Sequence, residues 1–238
     1  MTHKYVDFVS DDDFLECVEK VVESYPDDEE KEQTSWETLS QYKNTNDPFK
    51  TLFDLYGYQF DLDEWNEFEI QRRTDKSVSN KIGNFHQNLL GKVEGWENLK
   101  RGHPSKLDLK KEDNSIFIEL KNKHNTQNSS SLEPCRNKLE KILETCPDAK
   151  EAYWAYIVSD DYKSFTRVWE YPGRTVDSRI MEIAGANVYT LVTDDSNAFK
   201  QLFDALPKAI NDILGDEYNL KNEDQKIIDK YRNLIFKG

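Results

Sequence analysis

Three residues, Asp108, Glu119 and Lys121, are spaced so that two adjacent strands could bring them to one point. Side chains alternate along an extended strand, so Glu119 and Lys121 would share one face of residues 115–121. A turn centred on residues 112–114 would let the preceding strand run back alongside and bring Asp108 to that face. Carboxylate oxygens bind hard divalent cations, and a lysine can orient or deprotonate water. The spacing therefore predicts a magnesium-dependent site for phosphodiester hydrolysis.

The same pattern is also compatible with a hairpin that merely exposes charges on one face. A third of the residues in this chain are charged (33%), so an acid followed later by an acid-x-lysine triplet can arise by chance. The choice between a metal-dependent site and a plain charged hairpin therefore depends on the surrounding segments of the sequence.

Composition and cysteine usage restrict the class of protein. No apolar run approaches the roughly 20 residues that a membrane-spanning helix needs, and the first residues lack the apolar stretch of a signal peptide. The three cysteines, Cys17, Cys135 and Cys146, form no CxxC pair, which argues against a structural zinc site and suits a reducing compartment. We expect a soluble, cytoplasmic protein with free thiols and no membrane partner.

The net charge of −14 is unfavourable for a nucleic-acid partner, but it is unevenly distributed. Residues 1–70 contain 20 acidic and 5 basic residues, whereas residues 71–238 contain 26 acidic and 27 basic residues. Residues 98–124 contain seven Lys or Arg and four acids, two of which are the candidate metal ligands. A bound divalent cation would make the field around that segment positive.

The pattern of apolar residues predicts two parts. Residues 1–70 are interpreted as an acidic, mostly helical N-terminal appendage that packs on the core and is a candidate for dimer contacts, with a helix over residues 11–25. Residues 71–238 are interpreted as the catalytic and DNA-recognition domain.

The second part shows an α/β order of elements. The predicted helices are residues 79–92, 129–145, 197–206, 208–214 and 223–236. The predicted strands are the two of the hairpin, residues 152–159, a short strand at 167–170 and a β-rich run at 188–193. This order predicts a central mixed β-sheet flanked by helices.

Several segments now indicate a family. The spacing of Asp108, Glu119 and Lys121 matches the D-x(n)-E-x-K signature of the PD-(D/E)XK nuclease superfamily. Further segments resemble the type II restriction endonuclease family whose members cut GGNCC-type sites, and these are residues 82–91, 95–96, 119–131, 167–173, 179–185 and 188–193. The stretch KNKHNT, directly after the glutamate and leucine, is the most specific of them. The likeness spans about residues 81–215, and residues 1–70 show no clear likeness.

The resemblance implies a role for each residue of the triplet. The family's metal-binding acids fall on Asp108 and Glu119, and its catalytic lysine falls on Lys121. The carbonyl of Leu120 would complete the protein ligands of Mg²⁺, with Mn²⁺ as an alternative cation. Leu107 precedes the first acid, so the literal Pro-Asp dipeptide is absent, although the proline takes no part in the chemistry.

Gln87 is a further candidate for the catalytic site. Many relatives of the implied fold carry another acid on the helix before the hairpin, four residues after a glycine, and here Gly83 is followed at that distance by Gln87. A glutamine could hydrogen-bond a metal-bound water or a phosphate. The alternatives are an ordinary polar helix face and, as a less favoured substitute, Glu94.

Residues just beyond the catalytic strand are candidates for DNA binding, because DNA must pass there. Lys123, His124, Asn125 and Asn128 offer donors and acceptors for phosphates or base edges. An HNH-type nuclease using His124 and Asn125 is a rival reading, but no second cluster of metal ligands stands nearby. His124 could also be a plain surface histidine.

Guanine-rich sites call for arginine, whose planar fork matches O6 and N7 of guanine in the major groove. Arg174 is the leading candidate because it lies in a Tyr-Pro-Gly-Arg-Thr loop, and Arg167 and Arg179 follow. Each could instead form a surface ion pair. The acids available for such pairs are Glu170, Asp177 and Glu182.

The resemblance implies a homodimeric enzyme with one active site for each DNA strand, since the family's sites are palindromic. It implies cleavage of double-stranded DNA at GGNCC or GGWCC, with 5′-phosphate ends and a three-base 5′ overhang. A cognate cytosine methyltransferase is the implied genetic partner. Two other classes stay open: a structure-specific or repair nuclease with the same core, and a non-catalytic acidic interaction protein.

Overall fold

The computed structural model describes residues 3–25, 47–100, 102–126, 129–215 and 222–236. These form two compact units. The larger comprises Met1–Glu19 with Gly83–Gly238, and the smaller comprises Lys20–Ile82.

A six-stranded sheet with the strand order β1-β2-β3-β4-β6-β5 forms the centre of the larger unit. The strands are β1 Trp96–Asn98, β2 Leu109–Lys111, β3 Ile116–Lys123, β4 Glu151–Val158, β5 Phe165–Val168 and β6 Ile180–Ala184. β1, β2 and β3 pair antiparallel, β4 is parallel to both β3 and β6, and β5 is antiparallel to β6. The expectation of a mixed sheet in an α/β protein is therefore confirmed.

Helices precede, connect and follow these strands. In the described part of the chain they are α1 Asp11–Val22, α2 Pro48–Tyr58, α3 Leu62–Leu90, α4 Ser129–Thr145, α5 Ala186–Thr193, α6 Ala198–Leu214 and α7 Asn222–Phe236. Helix α4 crosses over between the parallel strands β3 and β4 and has the predicted bounds. None of the described helices is both long and apolar enough to cross a membrane.

The hairpin that carries the candidate site forms as predicted. Leu109 pairs with Ile118 and Lys110 pairs with Phe117. Asn114 occupies the left-handed region of backbone space (φ 58°), which asparagine tolerates better than most residues, and this closes the turn.

The β-rich run at residues 188–193 was wrongly predicted as a strand, because it lies in helix α5. Val188, Tyr189 and Val192 are buried at helical spacing, so packing of one helix face outweighs the strand preference of these residue types. The strand lies just before it, as β6. Gly185 separates the two elements with φ 64° and ψ −135°, a conformation that favours glycine.

Two helices also differ in extent from the prediction. Helix α6 is continuous through Pro207, whereas the sequence suggested a break there. Its buried face runs from Ala198 to Ala209, so burial on both sides of the proline compensates for the lost backbone hydrogen bond. Helix α3 begins at Leu62, well before the predicted start at residue 79.

The first residues of the chain pack within the larger unit. Lys4 Nζ lies 2.7 Å from Asp212 Oδ2 on α6, and Lys92 Nζ lies 2.6 Å from Asp13 Oδ1 on α1. The Asp7 amide also donates to Gln201 on α6. The compact units therefore have bounds different from the predicted 1–70 and 71–238.

One side of the larger core is rich in aromatic rings. Trp154 and Tyr156 of β4 pack with Trp169, and the ring centroids of the two tryptophans lie 4.6 Å apart. Leu139 and Leu143 of α4 belong to the same cluster, which fixes that helix next to the sheet.

Candidate active site

The structure brings the predicted triplet together at the strand pair β2–β3. Asp108 directly precedes β2, and Glu119 and Lys121 lie on one face of β3. Lys121 Nζ is 2.8 Å from Glu119 Oε1 and 3.4 Å from Asp108 Oδ2. The Leu120 amide donates to Asp108 Oδ2 at 2.7 Å, so the backbone of β3 fixes the orientation of that carboxylate.

Burial and charge together set the protonation of this cluster. Burial raises the pKa of Asp108 against the opposing effect of the Lys121 charge. Burial also acts to lower the pKa of Lys121, but the charges of Asp108 and Glu119 outweigh it and leave that pKa raised. Lys121 is therefore an ammonium group in the resting site, able to orient a water or a phosphate oxygen by donating hydrogen bonds.

Three oxygen atoms that could bind a cation converge on the Lys121 ammonium. Leu120 O lies 3.1 Å from Nζ, in addition to the two carboxylate contacts. Among the described residues there is no group of three or more His, Cys, Asp and Glu side chains that could hold a metal ion. Mg²⁺ does not need one, because it commonly binds one or two carboxylates and completes its shell with waters and substrate phosphate oxygens. The donor set fits a hard divalent cation.

Gln87 lies next to the site but acts on the backbone. Its Nε2 donates to Asn98 Oδ1 at 2.8 Å and to the Asp108 carbonyl at 3.3 Å. The end of α3 approaches β1 closely here, because a Cβ on Gly91 would lie 2.5 Å from the Asn98 Cβ. These contacts hold the segment that carries Asp108. Glu94, the less favoured substitute, is exposed.

Lys138 is a site residue that the sequence reasoning missed. It lies on α4, and its Nζ is 2.9 Å from both Glu119 oxygens. Glu119 is only 3% exposed, so two lysines compensate its buried charge. Helical spacing could have indicated that Lys138 lies near the buried face of α4. It is adjacent to Leu139 and one turn after Cys135, and both of these residues are buried.

Of the residues predicted just beyond the catalytic strand, His124 and Asn125 lie there, whereas Lys123 still belongs to the strand. His124 and Asn125 form a short 3₁₀ turn directly after Lys123, the last residue of the strand. The His124 ring packs near Tyr156, with 6.4 Å between centroids, and its buried Nδ1 has no hydrogen-bond partner among the residues that the structure describes. Asn128 lies outside the described residues.

Arg167 lies on the same face of the sheet as Glu119. Glu119, Trp154, Glu182 and Arg167 are in register on four neighbouring strands. Arg167 Nε donates to Glu182 Oε2 at 2.6 Å, and the Tyr156 hydroxyl donates to the other oxygen at 2.7 Å. The surface ion pair that we considered as the alternative for Arg167 therefore forms, with Glu182 and through Nε. This contact orients the exposed guanidinium group of Arg167.

The other two candidate arginines use their forks within the protein. Arg179 donates through Nε and one terminal nitrogen to Asp177, as the ion-pair alternative predicted. Arg174, the leading candidate, contacts Glu133 and Asn137 of α4, at 3.1 and 2.8 Å. Its partners differ from the acids that the sequence suggested, because α4 packs beneath its loop.

Comparison with known proteins identifies the family. The Eco47II restriction endonuclease family matches residues 6–215, so the likeness extends well beyond residues 81–215 and includes most of residues 1–70. The chain is 33% identical over 223 residues to the type II restriction enzyme Sau96I of Staphylococcus aureus, covering 89% of this chain and 82% of that one. It is 31% identical over 220 residues to the type II restriction enzyme Eco47II of Escherichia coli, covering 89% of each.

These matches decide among the three classes that the sequence left open. Type II restriction enzymes are site-specific deoxyribonucleases that act on double-stranded DNA and use a divalent metal ion, which agrees with the donor set around Lys121. The chain belongs to the Eco47II restriction endonuclease family and is a type II restriction endonuclease.

Proposed function

We propose that the chain is a PD-(D/E)XK nuclease that cuts both DNA strands at a GGNCC-type palindrome, GGNCC or GGWCC. Products carry 5′-phosphate ends and a three-base 5′ overhang. The observation that carries the proposal is the convergence of Asp108, Glu119 and the Leu120 carbonyl on Lys121 Nζ, within 3.4 Å. The resemblance of the KNKHNT segment supports the class of recognition site.

Each residue of the site has a role in this reaction. Asp108, Glu119 and the Leu120 carbonyl would hold Mg²⁺, which would supply positive charge to stabilise the charge that develops on the phosphodiester. Lys121 donates hydrogen bonds that orient the attacking water in line with the 3′ oxygen. The water oxygen bonds to phosphorus as the bond to the 3′ oxygen breaks, the water loses a proton and the 3′ oxygen gains one. Gln87 keeps Asp108 in place through its backbone carbonyl.

Recognition is proposed to come from the strand and loop residues beyond the site. The residues proposed to contact the DNA near the end of β3 are Lys123, His124, Asn125 and Asn128. Among the arginines we favour Arg167 for guanine, because its fork stays exposed while Glu182 fixes Nε. Arg174 and Arg179 would have to exchange their present partners for DNA.

A palindromic site implies a homodimer that presents one active site to each strand. Because a host has to shield its own copies of the site from cleavage, we also propose a cognate cytosine methyltransferase as the genetic partner.

The direct test is digestion of phage DNA by the purified protein with Mg²⁺. Discrete fragments whose ends map to GGNCC or GGWCC are expected, and sequencing of the ends reports the overhang. A smear would show a nuclease without this specificity, and intact DNA would contradict the proposed reaction.

Variants of the triplet test the site itself. Asp108→Ala and Lys121→Ala are expected to lower the cleavage rate by at least about a hundredfold, the usual cost of losing a group that acts on the transition state. Glu112→Ala, an exposed acid in the same hairpin, is the matched control and should cut normally. Normal cutting by Asp108→Ala would show that the site lies elsewhere.

A further inference from the structure

A cleft of about 420 Å³ opens beside the active site, between the loop at residues 103–105, the β2–β3 hairpin and α4. It is lined by basic and polar side chains together with apolar residues, and none of its described lining residues carries a carboxylate. The basic and polar residues are His103, Ser105, Lys110, Asn114, Lys138 and Lys141. In a chain of net charge −14 such a lining indicates an anionic ligand.

Neighbouring groups hold two of these side chains at the wall of the cleft. Lys110 Nζ donates to Asn114 Oδ1 at 2.8 Å and lies 3.2 Å from Glu97 Oε2. The His103 Nδ1 lies 2.8 Å from Ser105 Oγ, within a turn that the same hydroxyl stabilises. Lys110 is therefore already oriented, with one cationic head able to donate further hydrogen bonds.

Lys141 differs from the other two lysines because its charge has no partner in the described part of the chain. It is exposed on α4, one turn after Lys138. An unpaired ammonium that lines a cleft can bind a phosphate oxygen without first giving up an ion pair.

The cleft is continuous with the catalytic centre through Lys138. That side chain lines the cleft and also contacts both oxygens of Glu119 at 2.9 Å. A ligand in the cleft that contacts Lys138 would therefore be separated from the Glu119 carboxylate only by that lysine side chain. The polyanion that reaches this carboxylate in a nuclease is the DNA backbone itself.

We propose that this cleft binds backbone phosphates of the substrate DNA next to the scissile phosphate, with Lys110 and Lys141 as the contacting groups. The proposal rests on the proposed function, because it places the DNA path at the active site. Contacts of this kind fix the register of the duplex and carry no sequence information.

The test is the salt dependence of DNA binding, measured with Ca²⁺ replacing Mg²⁺ so that DNA is bound without being consumed. Each phosphate contact contributes about 0.9 to the slope of log affinity against log salt. Lys141→Ala is expected to reduce the slope by about 0.9, and Lys110→Ala with Lys141→Ala by about 1.8. Affinity for cognate and unrelated duplexes should fall by the same factor.

Lys200→Ala is the matched control, since Lys200 lies on α6 outside the cleft and should leave the slope unchanged. Equal melting temperatures would show that the variants fold. An unchanged slope in the double variant would overturn the cleft proposal, even if the wild type cuts at its site. If the wild type does not cut DNA, the proposed function is contradicted. The salt dependence of DNA affinity would still test the cleft in that case.

Inorganic phosphate distinguishes a DNA site from a site for a free anion. If phosphate at millimolar concentration raises the melting temperature only when Lys141 is present, while the DNA slope does not depend on Lys141, the cleft binds a free anion and the proposal is wrong.

Discussion

Glu119 is the residue on which the electrostatics of the site depend. It is nearly fully buried and is contacted by Lys121 from its own strand and by Lys138 from α4. With Asp108, the cluster contains two carboxylates and two ammonium groups, so its formal charge is balanced before any cation binds. A divalent cation therefore has to compete with lysine for the same oxygens.

This competition leads to a prediction for Lys138→Met. The substitution keeps much of the side-chain volume but removes one positive charge, which leaves the cluster with a net negative charge. We expect Mg²⁺ to bind about tenfold more tightly, which corresponds to about 1.4 kcal/mol of binding free energy. This is smaller than the Coulomb energy between two unit charges in contact near a protein surface. Calorimetric titration with Mg²⁺ in the absence of DNA measures this directly.

Lys141→Met is the control for that experiment, because it removes the same charge one turn away, outside the contacts of Glu119. It should leave Mg²⁺ affinity close to the wild-type value. If both variants bind Mg²⁺ equally tightly, the effect comes from the general field of α4, and the specific competition at Glu119 is ruled out.

The triplet could be predicted at the level of residues because a strand and a turn suffice to place it. Glu119 and Lys121 are two positions apart, and the hairpin returns Asp108 to the same face, so only local geometry is involved. Lys138 and the partners of Arg174 depend on how α4 packs on the sheet. That packing is a tertiary feature, which the spacing within one segment does not determine.

At the level of elements, the hairpin, α4 and β4 could be predicted from periodicity and turn residues. Helix α5 could not, because its residue types favour a strand while its buried face requires a helix. The decisive local feature is Gly185. A Cβ there would lie 2.6 Å from Ser164 Oγ, the atom that also accepts the hydrogen bond from the Ala186 amide.

Gly185→Ala is therefore expected to destabilise the fold by about 1–3 kcal/mol, the usual cost of holding a side-chain-bearing residue in a sparsely populated backbone region. The cause is the positive φ of 64° together with the close approach of Ser164. Urea unfolding of both proteins measures the difference in the free energy of unfolding.

Gly83→Ala provides the comparison, since Gly83 lies within α3 and a Cβ there meets no atom within 4 Å. That substitution should stabilise the protein by about 0.5–1 kcal/mol, because alanine has the higher helix propensity. A stabilising effect of Gly185→Ala would mean that the turn between β6 and α5 has a different backbone conformation.

At the level of the whole molecule, the acidic residues 1–70 are divided between the two compact units. Residues 1–19 belong to the same compact unit as the catalytic sheet, and α1 and α6 contribute ion pairs to that unit. Local patterns did not show these contacts because they join distant segments: Lys4 and Asp212 are 208 residues apart in the chain, and Asp13 and Lys92 are 79 apart.

In the proposed homodimer each subunit would cut one strand of the DNA, so a subunit without an active site should leave its strand intact. A dimer with one wild-type and one Asp108→Ala subunit, isolated by two different affinity tags, should only nick a supercoiled plasmid that carries a single site. The wild-type dimer should convert the same plasmid to the linear form, since both of its sites are intact. Sedimentation should give both species twice the 28.0 kDa mass of the chain. Linear product from the mixed dimer, or failure of the two tagged chains to associate, would contradict the arrangement of one active site for each strand.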